Sequence, residues 1–138
     1  LDLLRYAAFL HDVGKIEIDR DLLNKPTGLN NKEFEIFKKH TMWGYEIVTA
    51  LPSLKDSARI ILYHHENYDG SGYPTGLSGE EIPLLSRIIR IADSYDAMTS
   101  SRPYCKAMTH HEAMNELKRN SGTQFDPELV EIFHNAVY

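Results

Sequence analysis

Apolar residues recur at helical spacing along most of this 138-residue chain, and no segment shows a convincing strand-like alternation of apolar and polar residues. In the first half, the spacing predicts helices over residues 1–13, 30–51 and 53–66. In the second half, it predicts helices over residues 84–100, from Thr109 onward and from Pro127 onward. The pattern therefore predicts an all-α bundle.

Local signals mark where several of these helices begin or end. Two capping boxes are predicted, from Asn30 to Glu33 and from Thr109 to Glu112. Asp126 before Pro127 combines a favoured N-cap with a favoured first helical residue. Gly14 is the expected stop of the first helix, and Gly44 is a candidate break in the second. Four glycines and two prolines between residues 67 and 83 predict a loop.

Several ionisable residues stand on the apolar stripes of these predicted helices. They are His11, His40, His64, His65 and Asp93. A single histidine on an apolar face is more often a hydrogen-bonded core residue, but this set enters from four helices. A buried carboxylate is costly unless it is paired or bound to metal, and these stripes carry no basic partner. The set therefore predicts a metal site built between helices.

The predicted ligands offer nitrogen and oxygen without a nearby thiolate. This disfavours structural zinc and suits iron, manganese, nickel, cobalt or catalytic zinc. With Asp12, which follows His11, the set has six members, which is many for one open site. Two metal ions bridged by Asp12 would suit the set, and such a site activates water for attack on phosphorus.

Composition narrows the class of function. The net charge of −5 argues against sequence-independent binding to duplex nucleic acid, which needs a basic surface. The single cysteine, Cys105, fits a reducing, cytoplasmic compartment. No apolar run approaches the roughly 20 residues of a transmembrane helix, and no signal-peptide pattern is present. The chain begins inside an apolar segment without a methionine, so we expect a fragment of a longer protein.

The residues that carry this chemistry resemble a known family of hydrolases. The matching motifs are His11-Asp12-Val13-Gly14-Lys15, His40, His64-His65-Glu66, Asp69-Gly70-Ser71-Gly72-Tyr73-Pro74 and Asp93. They are similar to the HD-GYP subgroup of the HD phosphohydrolases, and the resemblance runs from residue 1 to about Val130. It implies an HD-domain helical bundle with a Gly/Pro-rich GYP loop. The expected organisation is one HD-GYP domain over residues 1–138 that lacks its N-terminal helices.

The resemblance also implies an activity and a cofactor. It implies a bacterial phosphodiesterase that hydrolyses cyclic di-GMP to linear pGpG or to GMP. Two or three divalent metal ions are expected, with iron or manganese favoured over zinc, nickel or cobalt. The implied ligands are His11, Asp12, His40, His64, His65 and Asp93, with Asp12 as the bridge.

The same resemblance implies contacts with substrate and partners. Lys15 and Arg102 match residues that bind substrate phosphate, and Lys15 is also expected to assist proton transfer. The loop residues expected to border the substrate are Gly70, Gly72, Tyr73 and Pro74. This loop is also a candidate contact for a GGDEF-domain protein, and an upstream sensor or receiver domain is expected.

Several alternatives stay open from the sequence. Glu66 could neighbour the metal or orient a histidine, and Lys15 could be a charge at a helix C-terminus. Cys105 stands where relatives often carry a basic residue, so one phosphate contact could be missing. The chain could therefore be a regulatory module that binds a cyclic dinucleotide or a GGDEF partner without turnover. It could also be an HD hydrolase of another nucleotide, such as a dNTP or a different cyclic dinucleotide, and the Gly-Tyr-Pro motif disfavours the dNTP.

Overall fold

The computed structural model describes residues 2–101 and 106–137. The described residues form helices joined by turns and loops, with one isolated bridge between Ser121 and Phe125 and no strand. This confirms the predicted all-α class. The chain divides into two compact units, Leu1–His65 and Glu66–Tyr138. None of the described helices is both long and apolar enough to cross a membrane.

The first unit is built from five α-helices and a short 3₁₀ turn within the described residues. They are α1 (Asp2–Leu10), the turn Val13–Glu17, α2 (Arg20–Leu23), α3 (Asn31–Lys38), α4 (His40–Thr49) and α5 (Lys55–Leu62). Helix α4 packs against α5 and against the turn, and α1 packs against α5. Ala7, Val48, Ala58 and Ile61 are among its buried apolar residues. The packing of α4 on the turn brings the segment after α1 close to the start of α4.

The second unit begins with the long loop that the glycines predict. Its regular elements are the 3₁₀ turn Gly79–Glu81, α6 (Leu84–Thr99), α7 (His110–Arg119) and α8 (Pro127–Val137). Helix α6 packs against α7 and α8. The core of this unit consists of Ile91, Met114, Leu117, Phe125 and Val130.

The predicted helix starts are confirmed. Asn30 accepts a hydrogen bond from the backbone N–H of Glu33, whose carboxylate accepts from the N–H of Asn30. Thr109 and Glu112 form the same reciprocal pair at the start of α7. The Asp126 carboxylate accepts from the N–H groups of the first turn of α8. These side chains satisfy N–H groups that a helix start leaves without an intrahelical acceptor.

The predicted helix ends are wrong in three places. Helix α1 ends at Leu10, three residues before the predicted end, and Gly14 lies in the following 3₁₀ turn. The break between α3 and α4 falls at Lys39, and Gly44 lies inside α4. A Cβ on Gly44 would lie 3.0 Å from the Cγ2 of Ile61, so this glycine serves packing and not a break. Helix α5 ends at Leu62, before His64 and His65, which were both predicted to lie on it.

Candidate metal centre

Three histidines of the first unit stand just after the last turn of a helix, and each bonds back to that turn. Each Nδ1 contacts the carbonyl oxygen three residues earlier: His11 that of Ala8, His40 that of Phe37 and His64 that of Ile61, all at 2.6 Å. The last carbonyls of an α-helix lack an intrahelical donor, so a side chain that supplies one stabilises the helix end. These bonds give a physical reason why helices predicted to run through the histidines stop before them.

The same bonds fix which ring nitrogen is available to a ligand. A carbonyl oxygen only accepts, so each Nδ1 carries the hydrogen and each Nε2 of a neutral ring keeps its lone pair. Metal-binding histidines are commonly oriented in this way by a carbonyl or carboxylate. The Nε2 of His64 is buried and has no hydrogen-bond partner within residues 2–101 and 106–137.

The Asp12 carboxylate presents its two oxygens to different neighbours. Oδ1 lies 3.6 Å from the Nε2 of His40 and 4.0 Å from the Nε2 of His64. Oδ2 lies 2.6 Å from the Nζ of Lys15 and 3.5 Å from the Nε2 of His11. Oδ1 is buried and, in the described part of the chain, has no hydrogen-bond partner. Histidine nitrogens therefore surround a carboxylate oxygen without bonding to it.

This arrangement fits a divalent metal ion. Asp12, His40, His64 and His65 each offer one ligand atom, and these atoms all lie within 4.8 Å of one another. Two ligands of one ion, each about 2.1 Å from it, lie roughly 3.0–4.2 Å apart. The distances from Asp12 Oδ1 to the nitrogens of His40 and His64 fall in that range. Imidazoles with a carboxylate suit borderline transition metals, so a cation would satisfy the buried oxygen and nitrogens together.

Burial favours the neutral form of two histidines in this cluster, His40 and His64. It lowers the pKa of His40 and, to about 3, that of His64, although the bonds to Phe37 and Ile61 act in the opposite direction. The neighbouring histidines lower the pKa of His64 further, because their positive charges would repel its own. A neutral imidazole is the form that binds metal, so the rings need not lose a proton first at neutral pH.

Gly14 allows the turn that carries Asp12 and Lys15 to touch α4. A Cβ at this position would lie 2.0 Å from the carbonyl oxygen of His40 and 2.5 Å from the backbone N of Gly44. Both are backbone atoms, so no change of side-chain rotamer relieves the contact. The glycine therefore serves close approach and not a helix stop, and it sets how near Asp12 comes to His40.

Lys15 lies in the 3₁₀ turn and not on an apolar stripe, and it supplies a basic partner for one predicted ligand, Asp12. Its ammonium donates to Asp12 Oδ2 at 2.6 Å and lies 5.4 Å from the ring centre of Phe37. The side chains of Lys15 and Asp12 are 32% and 38% exposed. The lysine therefore neutralises one side of the carboxylate and leaves Oδ1 to the histidines.

In the second unit, residues 67–78 form a loop that we call the glycine loop. A Cβ on Gly72 would lie 2.2 Å from the backbone N of Asn67, so the loop folds tightly onto its own start. Gly70 adopts a positive φ of 85°, which glycine tolerates best. Tyr73 and Pro74 are half-buried and joined by a cis peptide bond. Their expected role at the substrate stays a prediction.

Glu66 immediately follows the two neighbouring histidines and is almost fully buried, at 2% exposure. Its carboxylate accepts from the N–H of Thr75 at 2.8 Å, from the hydroxyl of Thr75 at 2.9 Å and from the N–H of Gly76 at 3.1 Å. The side chain is thus engaged by the glycine loop. From the sequence, its place directly after two predicted ligands suggests a metal neighbour or a partner of a histidine.

Asp93 and Arg102 complete the list of predicted site residues. Asp93 is half-buried on α6 in the second unit, and its ligand role stays a prediction. Arg90 lies one turn before Asp93 on α6, and the sequence pattern did not single it out. Burial lowers the pKa of its guanidinium, and nearby Asp93 and Tyr73 oppose that shift. Arg102, like Cys105, lies outside the described residues.

Comparison with known proteins shows which family this chain resembles in sequence. A family model described as "HD domain" matches residues 2–129. A cyclic di-GMP phosphodiesterase of Thermotoga maritima is 47% identical over 132 residues, which are 94% of this chain and 36% of that protein. The cyclic di-GMP phosphodiesterase response regulator RpfG of Xanthomonas campestris is 44% identical, over 94% of this chain and 35% of its own length.

Two further similarities come from Vibrio cholerae. A 3'3'-cGAMP-specific phosphodiesterase is 41% identical over 97% of this chain and 29% of its own length. The crystal structure of a cyclic GMP-AMP-specific phosphodiesterase superposes with a TM-score of 0.73 at 24% identity, over 98% of this chain and 37% of that one. This structural likeness supports the fold. The chain thus spans about a third of the curated relatives it matches.

The resemblance seen in the sequence motifs and the matched family model agree on one conclusion. The family model covers residues 2–129 and includes Asp12, His40, His64 and His65. The expected helical bundle is also the fold of the solved relative. The chain belongs to the HD domain family, as its likeness to the HD-GYP phosphodiesterases predicts.

Proposed function

We propose that this chain is the catalytic part of a metal-dependent phosphodiesterase that hydrolyses cyclic di-GMP to linear pGpG, to GMP or to both. The observation that carries the proposal is the cluster of Asp12, His40, His64 and His65, whose ligand atoms lie within 4.8 Å of one another. Relatives that are 47% and 44% identical are named cyclic di-GMP phosphodiesterases, which supports this substrate class.

We propose that the centre holds two or three divalent metal ions. Iron or manganese is the proposed metal, in preference to zinc, nickel or cobalt. The two oxygens of Asp12 face different histidines, which supports its role as a bridge. His11, His40, His64, His65 and Asp93 would supply the remaining ligands. Bound metal would make water nucleophilic near neutral pH and offset charge on the phosphate.

The chain's own groups would then position the substrate and move protons. The Lys15 ammonium lies beside Asp12, where it can donate to a phosphate oxygen and assist transfer of a proton. Arg102 would supply a second cation for the phosphate by its match to the family motif. Gly70, Gly72, Tyr73 and Pro74 would border the bound nucleotide.

A second substrate has specific support. A relative that is 41% identical is named a 3'3'-cGAMP-specific phosphodiesterase, so identity alone does not separate the two cyclic dinucleotides. They differ in one base, whereas the phosphodiester chemistry is the same. Any difference in turnover would therefore come from residues that contact the base and not from the metal cluster.

The experiment uses the metal-loaded chain with either cyclic dinucleotide, and products are separated by chromatography. The wild type is expected to release pGpG or GMP from cyclic di-GMP, and Asp12→Ala is expected to abolish turnover while keeping its helical circular dichroism. Asp19→Ala is the matched control, because Asp19 caps α2 through the N–H of Asp21 and lies outside the cluster. Full hydrolysis by Asp12→Ala would refute the proposal. Binding of the nucleotide without turnover by the wild type would favour a regulatory module.

The partners remain proposals of the same kind. One relative is named a response regulator, and the chain covers 35% of it, which supports a receiver domain fused upstream. A GGDEF-domain protein is the proposed partner of the glycine loop. The cytoplasm is the proposed location, on the strength of the single cysteine.

A further inference from the structure

The contacts of Glu66 go to the glycine loop, although the residue directly follows two predicted metal ligands. Oε1 accepts from both donors of Thr75 and from the N–H of Gly76, and Oε2 also accepts from Gly76 at 3.1 Å. Three of these four contacts fall on Oε1, and the one on Oε2 is shared, because a single Gly76 N–H faces both oxygens. The loop therefore holds this carboxylate chiefly through Oε1, and each contact described for it comes from Thr75 or Gly76.

The rest of the glycine loop is fastened close to the same point. Gly72 packs against the backbone of Glu66 and Asn67, with no room for a Cβ. The amide of Asn67 donates to Ser71 at 3.1 Å and accepts from the Arg90 guanidinium at 2.9 Å. Glu66 therefore holds the far end of the loop, at Thr75 and Gly76. Asn67 and the backbone of Glu66 hold its middle, at Ser71 and Gly72.

We propose that Glu66 is a positioning residue, which holds the glycine loop in the conformation that binds the cyclic dinucleotide. Tyr73 and Pro74, the expected contacts for substrate, come just before Thr75. The hydrogen bonds from Thr75 and Gly76 to Glu66 therefore fix the position of these two residues. Glu66 is also the next residue after His65, so the ligand segment and the loop anchor are neighbours along the chain. The substrate-binding part of this inference rests on the proposed function.

The test compares four variants with the wild type by hydrogen exchange, metal content and steady-state kinetics. Glu66→Ala removes all the acceptors, Glu66→Gln keeps one oxygen, and Thr75→Val removes only the hydroxyl donor. Glu112→Ala is the matched control, because Glu112 also accepts from the N–H and hydroxyl of a threonine, Thr109. It differs in being exposed, at the start of α7, so the stability of every variant is measured by urea unfolding.

The expected pattern is specific to positioning. In Glu66→Ala, exchange of the Thr75 and Gly76 amides rises roughly tenfold or more, as expected when a hydrogen bond to a charged group is lost. KM for the cyclic dinucleotide rises by a similar factor, with metal content unchanged. Glu66→Gln and Thr75→Val show smaller changes in the same direction, and Glu112→Ala changes neither loop exchange nor KM.

Two results would overturn the inference. One is loop exchange and KM in Glu66→Ala that match those of Glu112→Ala. The other is a lower metal content in Glu66→Ala without faster exchange of the Thr75 and Gly76 amides, which would indicate that Glu66 supports the metal centre. If Glu66→Ala does not fold, Glu66→Gln and Thr75→Val are judged by the same criteria. A wild type that binds metal but hydrolyses neither dinucleotide would overturn the proposed function, while hydrogen exchange would still decide whether Glu66 holds the loop.

Discussion

Replacing Gly14 with alanine is expected to damage both the stability of the first unit and its metal affinity. The added Cβ would lie 2.0 Å from the carbonyl oxygen of His40, 2.5 Å from the N of Gly44 and 2.9 Å from the carbonyl carbon of His40. Real Cβ atoms essentially never approach other atoms closer than 3.0 Å, so the turn or α4 has to move by at least 3.0 − 2.0 = 1.0 Å. That movement separates Asp12 from His40.

The size of the effect follows from that displacement. Overpacking a well-packed site costs about 1–3 kcal/mol of unfolding free energy, and a contact between backbone atoms belongs at the upper end. A misplacement of about 1 Å in a catalytic group lowers the rate on the order of 100-fold. Since Asp12 belongs to the cluster, metal affinity is expected to fall together with stability.

Urea unfolding of the metal-free protein and calorimetric titration with Mn²⁺ measure the two effects separately. Gly28→Ala is the control, because a Cβ on Gly28 meets nothing within 4 Å and its φ is not positive. That variant is expected to be neutral or stabilised by up to about 1 kcal/mol. Unchanged stability and Mn²⁺ affinity in Gly14→Ala would refute the claim that close approach at Gly14 sets the position of Asp12.

Two further predictions concern charge in the same unit. Because burial lowers the folded-state pKa of His40 and His64 below the ordinary 6.5, the unfolded state takes up protons first as the pH falls. The metal-free protein should therefore be most stable above pH 6.5 and lose stability below it, by up to about 1.4 kcal/mol per pH unit for each histidine. Urea unfolding across that range checks this, and equal stability at about pH 7.5 and pH 5.5 would contradict it. Lys15→Met should lower kcat/KM for the cyclic dinucleotide at least tenfold while costing less than about 1 kcal/mol, since the ion pair is partly exposed. Lys25→Met removes a similar ion pair with Glu33 and serves as the control. Equal kcat/KM in the two variants would refute the claim that Lys15 contacts the substrate.

Capping residues in the sequence predicted the helix starts, whereas the helix ends involve histidines that bond to the last turn and also face the cluster. The capping boxes at Asn30 and Thr109 involve residues three apart, so the pattern itself contains the contact. The end of α5 depends on the His64 ring, which turns back to the Ile61 carbonyl while its other nitrogen faces Asp12, 52 positions earlier in the chain. Helical spacing contains no information about such a pairing.

The candidate site shows the same division. Chemistry and spacing singled out His40, His64 and His65 as a set, and the structure brings them together with Asp12. The pairing of Lys15 with Asp12 was missed because the sequence argument considered only charges on the apolar stripes, and Lys15 lies in the following turn. The attachment of Glu66 to Thr75 and Gly76 was missed because loop conformation has no periodicity from which to predict it.

The central claim is that Asp12, His40, His64 and His65 hold a divalent metal ion through the nitrogens and oxygens that face one another. Anomalous scattering from a crystal of the Mn²⁺-loaded chain tests it most directly. The account predicts a peak bonded to Asp12 Oδ1 and to the Nε2 atoms of His40 and His64, at about the 2.0–2.2 Å typical of such bonds. The account would be contradicted by a peak that contacts none of these atoms, or by no peak in the first unit at saturating Mn²⁺.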